Sequence, residues 1–297
     1  MTNISVVVIL YNSRLSDSET LQSILSANLL HSIVLTINIW NNGPQKFNNE
    51  DIRLFLEKAK KKISINIRQD CRNIALSKVY NYFLSQVGYD FFTIFDQDTK
   101  IDINFFDNLM NYKHLDVIFP LVYSKKDNCI IFPRYADQSN IVGAKAFEEE
   151  GEQDMDKVFT INSGLTLTPS GQSVLEKIKY PIFNENFAFY GIDTELFFYI
   201  REYCKQRGVI KAGCHGRIIH SLSSLEEEEL VVKQKRKLEE LYAVALEQIY
   251  LYKKNRWRLC KKVVRNMLKK KMTMIDSYRV IKCILFKQHP RCKFTIK

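Results

Sequence analysis

The sequence is poor in the residues that build cross-linked or non-globular architectures. Only 10 glycines and 6 prolines occur in 297 residues, which excludes collagen-like and Pro/Gly-linker designs. The seven cysteines are odd in number and scattered, with no Cys-x-x-Cys pair, so neither a disulfide framework nor a zinc ribbon is indicated. No apolar run approaches the ~20 residues that span a bilayer. The longest near the start, Val6 to Leu10, also lacks the charged head of a signal peptide. A reduced, cytoplasmic protein is the expectation.

What is present suits a folded body. Hydrophobic residues make up 46% and aromatics 12%, enough for one large domain or two small ones and against a disordered polymer. The net charge of +11 is uneven. From Glu226 to Lys297 there are 20 Lys and Arg against 8 Asp and Glu, while the remaining 225 residues hold 24 against 25. A near-neutral body with a basic tail suggests an anionic partner for the tail, a membrane surface or a nucleic acid.

The first hundred residues alternate between two periods. Strands are expected at Ile4 to Leu10, Val34 to Trp40, Ile63 to Ile67 and Phe91 to Phe95. Between them, Ser16 and Glu19 fit a capping box opening a helix to about Leu30. A charged helix runs to about Lys61, and Asn73 to Gln86 repeats apolar residues every fourth position. Strand and helix in alternation mean βαβ units and a parallel sheet. Later expectations are strands at Val117 to Val122, Val158 to Thr168 and Arg217 to His220, and a helix from Asp193 to Gln206. From Glu226 the pattern is long and helical, with little turn signal before His289-Pro290.

Ligands of such sheets bind beyond the carboxyl ends of the strands. Asp96-Gln97-Asp98 follows the fourth strand, and two carboxylates there suit Mg²⁺ or Mn²⁺ as well as a solvated turn. Asp193-Thr194-Glu195 opens a helix, where acids also complement the dipole. His220 ends an apolar strand. Asn12, Asn41, Asn42, Asn73 and Asn81 lie at strand ends or in an adjacent helix, either as turn residues or as amides able to read a base or ribose.

Together these pieces resemble the family 2 glycosyltransferases, in the rhamnosyltransferase-like branch, from about Ile4 to Ser224 and more weakly to about Lys262. The resemblance rests on Ser5-Val-Val-Val-Ile-Leu-Tyr-Asn12, Asn73-Ile-Ala-Leu-Ser-Lys-Val-Tyr-Asn81, Phe95-Asp-Gln-Asp-Thr99, Asn162-Ser-Gly164, Tyr190-Gly-Ile-Asp-Thr-Glu195 and His220. Two positions depart from it: Asn41 stands where the family usually has an acid, and Ala75 where it usually has glycine.

The resemblance implies a GT-A (Rossmann-like) α/β fold with a mixed, mainly parallel sheet flanked by helices. It divides the chain into a catalytic domain at 1–225, with a nucleotide-binding half to about 100 and an acceptor half beyond, and a basic helical extension at 226–297. It implies a nucleotide diphospho-sugar donor (dTDP- or UDP-linked, rhamnose favoured) and transfer with inversion to a glycan acceptor of O-antigen or capsule synthesis, lipid-linked and met at the inner face of the cytoplasmic membrane. By the same resemblance Tyr11, Asn12, Asn41, Asn42, Asn73 and Asp96 contact the nucleotide. Asp96, Asp98 and His220 hold a divalent cation, Mg²⁺ or Mn²⁺. Asp193 is the general base, with Glu195 as runner-up or supporting acid, and Ser163 and Gly164 lie under the acceptor. Competing readings are a nucleic-acid-binding protein using the basic arm and a nucleotidylyltransferase. The ordered carboxylates count against the first. The second generally wants a glycine-rich loop where Tyr11-Asn12-Ser13-Arg14 stands.

Overall fold

A computed structural model describes residues 1–59, 62–86, 88–136, 145–221 and 230–296. The expected boundary at 225/226 and the end of the charged helix at Lys61 lie outside the described residues.

In chain order the main elements are β1 (Thr2–Leu10), α1 (Glu19–Ser26), β2 (Ile33–Asn41), α2 (Asn49–Glu57), β3 (Ile63–Gln69), α3 (Leu76–Leu84), β4 (Phe91–Asp96), β5 (Thr99–Ile101) and α4 (Phe105–Leu109). Then come β6 (Val117–Ser124), β7 (Ile130–Phe132), β8 (Arg134–Tyr135), β9 (Gly151–Gln153), β10 (Val158–Phe159), β11 (Thr166–Leu167), α5 (Pro169–Ile178), α6 (Ile192–Lys205) and β12 (Ala212–His220). Three helices follow: α7 (Leu230–Tyr250), α8 (Arg256–Leu268) and α9 (Met274–Phe286).

The main sheet runs β3-β2-β1-β4-β11-β6-β12-β5. The pairs β3/β2, β2/β1, β1/β4 and β6/β12 are parallel, while β11 and β5 run against their neighbours. The β-branched run of β1 is buried because both faces are covered. Val7 and Ile9 enter one apolar cluster; Ile4, Val6, Val8 and Leu10 enter the other, as a period of two requires. The register sets Ile9 beside Asp96 and His220 opposite Thr99, so the ends of β4 and β12 meet at one rim.

Several elements differ from expectation for physical reasons. Ser18, not Ser16, caps α1 by accepting from Leu21 N–H, because a short 3₁₀ turn first buries Leu15. The helix stops at Ser26 rather than Leu30. The strand expected over Val158 to Thr168 is two short pieces, β10 and β11, separated by a turn at Asn162–Gly164. The tail is three helices rather than one continuous pattern. Tyr242, Ala245, Leu246 and Ile249 of α7 and Val280, Cys283 and Ile284 of α9 join the same apolar cluster as β1 and α3. All seven cysteines are free thiols. Among the described residues no helix is long and apolar enough to cross a membrane.

Candidate active site

The Asp96-Gln97-Asp98 turn is fastened from behind. The Thr20 hydroxyl donates to Asp96 O and accepts from Thr99 N–H, at 2.9 Å in the latter bond. Ser18 Oγ donates to Gln97 O at 2.8 Å, and Gln97 Oε1 accepts from Tyr11 N–H at 2.8 Å. The turn is thereby tied to the start of α1 and the end of β1. With the backbone fixed, both carboxylates face the rim, each with more than a third of its side chain exposed (36% and 37%).

His220 reaches them from β12. Its Nε2 lies 3.8 Å from Asp96 Oδ2 and its Nδ1 3.5 Å from Asp98 Oδ1. The ring is buried and shares a 3.0 Å hydrogen bond with Thr99 Oγ1. Asp193 stands in the first turn of α6, and its charge acts on Asp96. Although part of its side chain stays exposed, desolvation by the surrounding protein pushes the Asp96 carboxyl up to about 6; His220 opposes this, while Asp98 and Asp193 add to it. Burial likewise raises Asp193 to about 6 against the pull of backbone N–H donors, of which Thr194 N–H lies at 2.8 Å. Groups from three distant parts of the chain thus act on Asp96 at the carboxyl rim. Among the described residues no three His, Cys, Asp or Glu side chains form a ready-made metal ligand set.

Glu195 is placed differently from Asp193. Positions two apart on a helix face different ways, and Glu195 is fully buried, paired with Lys179 and held by Asn184 Nδ2 at 2.9 Å. It has no face toward an acceptor and supports the start of α6 from within. The expectation for Ser163 is corrected too. Its hydroxyl is buried, receives Asp96 N–H at 3.2 Å and bonds Thr99 Oγ1 at 2.7 Å. Gly164 has φ +87°, and a Cβ there would lie 2.5 Å from the Pro120 ring. Ser163-Gly164 is a packing turn behind the carboxylates, with no face for an acceptor sugar.

The amides form a separate wall at the ends of β2 and β3. Asn41 Nδ2 donates to Gln45 O and Gln69 Oε1, and its Oδ1 accepts from Gly43 N–H. Asn42 accepts from Trp40 Nε1 and donates to Ile74 O and Asn73 Oδ1. Both are buried, so they shape the wall and leave no free edge to read a base. Gly43 has φ +95°, and a Cβ would sit 2.7 Å from Cys71 O, so only glycine lets the two turns close. Tyr11 and Asn12 stay exposed at the rim, with Asn12 N–H bonded to Gly43 O. A recess of about 380 Å³ beside this wall is lined by Trp40, Lys46, Arg68, Gln69, Asp70 and Arg72. A larger cavity of about 720 Å³ lies between α1 and β5, and none of the candidate residues lines it.

Sequence reasoning missed Tyr80, Thr20, Thr99 and Glu247. Tyr80 is buried where the charges of Asp96 and Asp193 both reach it, and burial first, then those charges, raises its phenol well above the usual value. Glu247 comes from α7 and hydrogen-bonds the Thr194 side chain. Burial, with Asp193 adding, raises it to about 7. No local signal marks either one; they become visible only when the chain folds back.

The chain matches no family model and no curated protein. Among solved structures it is similar to TarS of S. aureus, with a TM-score of 0.54 and 12% identity over 98% of this chain and 50% of that one. Residues 1–349 of TarS in complex with UDP and with UDP-GlcNAc superpose with TM-scores of 0.49 and 0.48 at 12% and 11% identity, over 84% of this chain and 66% and 67% of theirs. The chain therefore spans half to two thirds of the length of these structures. At such identity the likeness speaks to architecture alone, and that architecture is a GT-A type fold, a curled, mostly parallel sheet flanked by helices.

Proposed function

We propose that the chain is an inverting glycosyltransferase that moves a sugar from a nucleotide diphospho-sugar to a hydroxyl of a glycan acceptor. One observation supports this reading: His220 reaches Asp96 and Asp98 at the carboxyl rim of the sheet, where ligands of such folds bind, and the charge of Asp193 acts on Asp96 there. Asp98 and Asp96, with His220 as a further contact, would hold Mg²⁺ or Mn²⁺. Their chemistry fits: hard oxygen donors bind these ions one or two at a time, leaving room for substrate phosphates and water. When bound, the cation neutralises charge developing on the departing diphosphate. The residues do the rest. Asp193 accepts the proton of the acceptor hydroxyl as that oxygen attacks the anomeric carbon. Thr20, Ser163 and Thr99 hold the carboxylate turn, and the amide wall shapes the nucleotide side. The Asp-Gln-Asp-Thr form favours dTDP-rhamnose, with a UDP-sugar as the alternative, for an acceptor of O-antigen or capsule type.

The tail suits an acceptor carried on lipid at the inner face of the cytoplasmic membrane. Between Tyr252 and Gln288 stand 13 Lys and Arg and one acid. Among them Trp257, Leu268, Met274, Tyr278 and Phe286 are exposed on α8 and α9. Cations interleaved with exposed apolar side chains fit an anionic bilayer.

Melting shifts with UDP, dTDP, CDP, GDP and ADP and their sugars, with and without Mn²⁺, test the donor assignment. A metal-dependent shift with a pyrimidine diphosphate is expected, and no shift with any of them would overturn it.

A further inference from the structure

Segment 289–296 lies along the turn between β3 and α3. Arg291 sits at its centre. Its Nη1 donates to Asn73 Oδ1 at 2.5 Å and its Nη2 to Glu239 Oε2, on α7, at 2.6 Å. His289 Nε2 lies 3.1 Å from the same carboxylate oxygen, and His289 Nδ1 accepts from Arg291 N–H at 3.1 Å. The segment is anchored on both flanks. Lys78 Nζ donates to Cys292 O at 2.6 Å and Phe294 O at 2.9 Å, and Arg72 Nη2 donates to Thr295 O at 3.0 Å. Cys292 packs in a small buried cluster with Ala75 and Ala188. The Ala75 methyl, which replaces a hydrogen in the resembled pattern, thus packs against this segment.

We infer that Arg291 is a positioning residue for the nucleotide site: it fixes the Asn73 side chain as a hydrogen-bond donor toward a pyrimidine nucleotide. The argument is one of satisfied valence. Asn73 has left-handed backbone, φ +55°, and its Oδ1 accepts from both Arg291 and Asn42. An amide whose oxygen is held by two donors turns its nitrogen the other way, and that nitrogen can only donate. A donor at this place donates to the C4 carbonyl of uracil or thymine and opposes the C4 amine of cytosine. Glu239 keeps Arg291 from swinging away, because a planar guanidinium held at one nitrogen by each of two partners has little freedom left.

This inference rests on the nucleotide-sugar reading, so the test separates the two. Dissociation constants for UDP, dTDP and CDP are measured by calorimetry with Mn²⁺ on the full chain and on R291M and R291K. In R291M, UDP and dTDP are expected to bind about tenfold more weakly, with the preference over CDP reduced. R291K, with a single ammonium in place of the fork, falls between. In transfer assays the loss appears in the donor KM while kcat holds, which a general loss of folding would not produce. If R291M does not fold, E239Q carries the same readout, with a smaller loss in the same direction. Wild type that binds none of the three nucleotides overturns the donor reading and this inference with it. Wild type that binds while R291M, or E239Q in its place, keeps both affinity and preference overturns the inference alone.

Discussion

The amide wall and the carboxylate rim both hold polar residues and use them in opposite ways. On the amide wall, Asn41 and Asn42 are buried and their side chains are bonded within the protein. On the carboxylate rim, the backbone is bonded from behind by Thr20, Ser18 and Ser163, while the charged groups face outward and press on one another. Buried, bonded amides build shape, and partly exposed charges are placed to meet a substrate. Burial of bonded amides costs little, whereas desolvation of carboxylates raises their pKa values even where backbone N–H groups or an imidazole oppose it.

The comparison breaks first, and hardest, at the rim. D193N and D98A should each reduce sugar transfer by roughly 10²–10⁴-fold, the scale of a lost proton acceptor or charge partner. Circular dichroism should remain that of the wild type, and D193N should still bind nucleotide. Retained turnover in D193N would remove Asp193 as the base.

On the amide wall the order of effects reverses. N42A strands Trp40 Nε1 and Ile74 O, so about 1–3 kcal/mol of stability is expected to go in urea melts, with turnover per folded molecule reduced less than tenfold. An N42A enzyme as stable as the wild type but inactive would make Asn42 a reader rather than a wall.

pH sharpens the contrast. Asp193 moves from 3.8 to about 6 in the folded chain, so folding tightens its proton. The stability this group contributes is complete below about pH 4 and is lost as pH rises through about 6. Transfer needs the carboxylate and should rise over the same window. D193N should therefore melt higher than the wild type at pH 8, with the gap closing toward pH 4.5. A gap of constant size would mean that burial does not set this pKa. The smallest effect is expected on the outer face. Sedimentation with acidic vesicles should carry the chain down at low salt, and K261E/K262E/R265E should weaken this by a fewfold without changing transfer to a soluble acceptor.

Much of this was legible in the sequence. The β-branched runs of β1 and β2, and the aromatic run of β4, announce buried strands, and the acidic triplet at the end of β4 points to the rim. Other features carry no local mark. Ser16 carries the capping-box pattern on paper, yet Ser18 caps the helix, because a turn that buries Leu15 comes first. Asp193 and Glu195 are two acids of one helical turn, and only the folded chain shows Asp193 acting on Asp96 and Glu195 paired with Lys179. Arg291 and Asn73 are 218 positions apart, and nothing in either neighbourhood names the other.

The helix ends of the basic layer have a consequence of their own. Lys253, Lys270 and Lys287 lie just past α7, α8 and α9 with φ of 51°, 54° and 54°. Lys271 N–H reaches back to Asn266 O and Gln288 N–H to Cys283 O, the bonds that glycine usually closes. A side chain in this conformation costs about 1 kcal/mol relative to glycine. Glycine at these three positions would make a sturdier but less cationic protein, so the chain forgoes some rigidity at each corner to keep its outer surface positive.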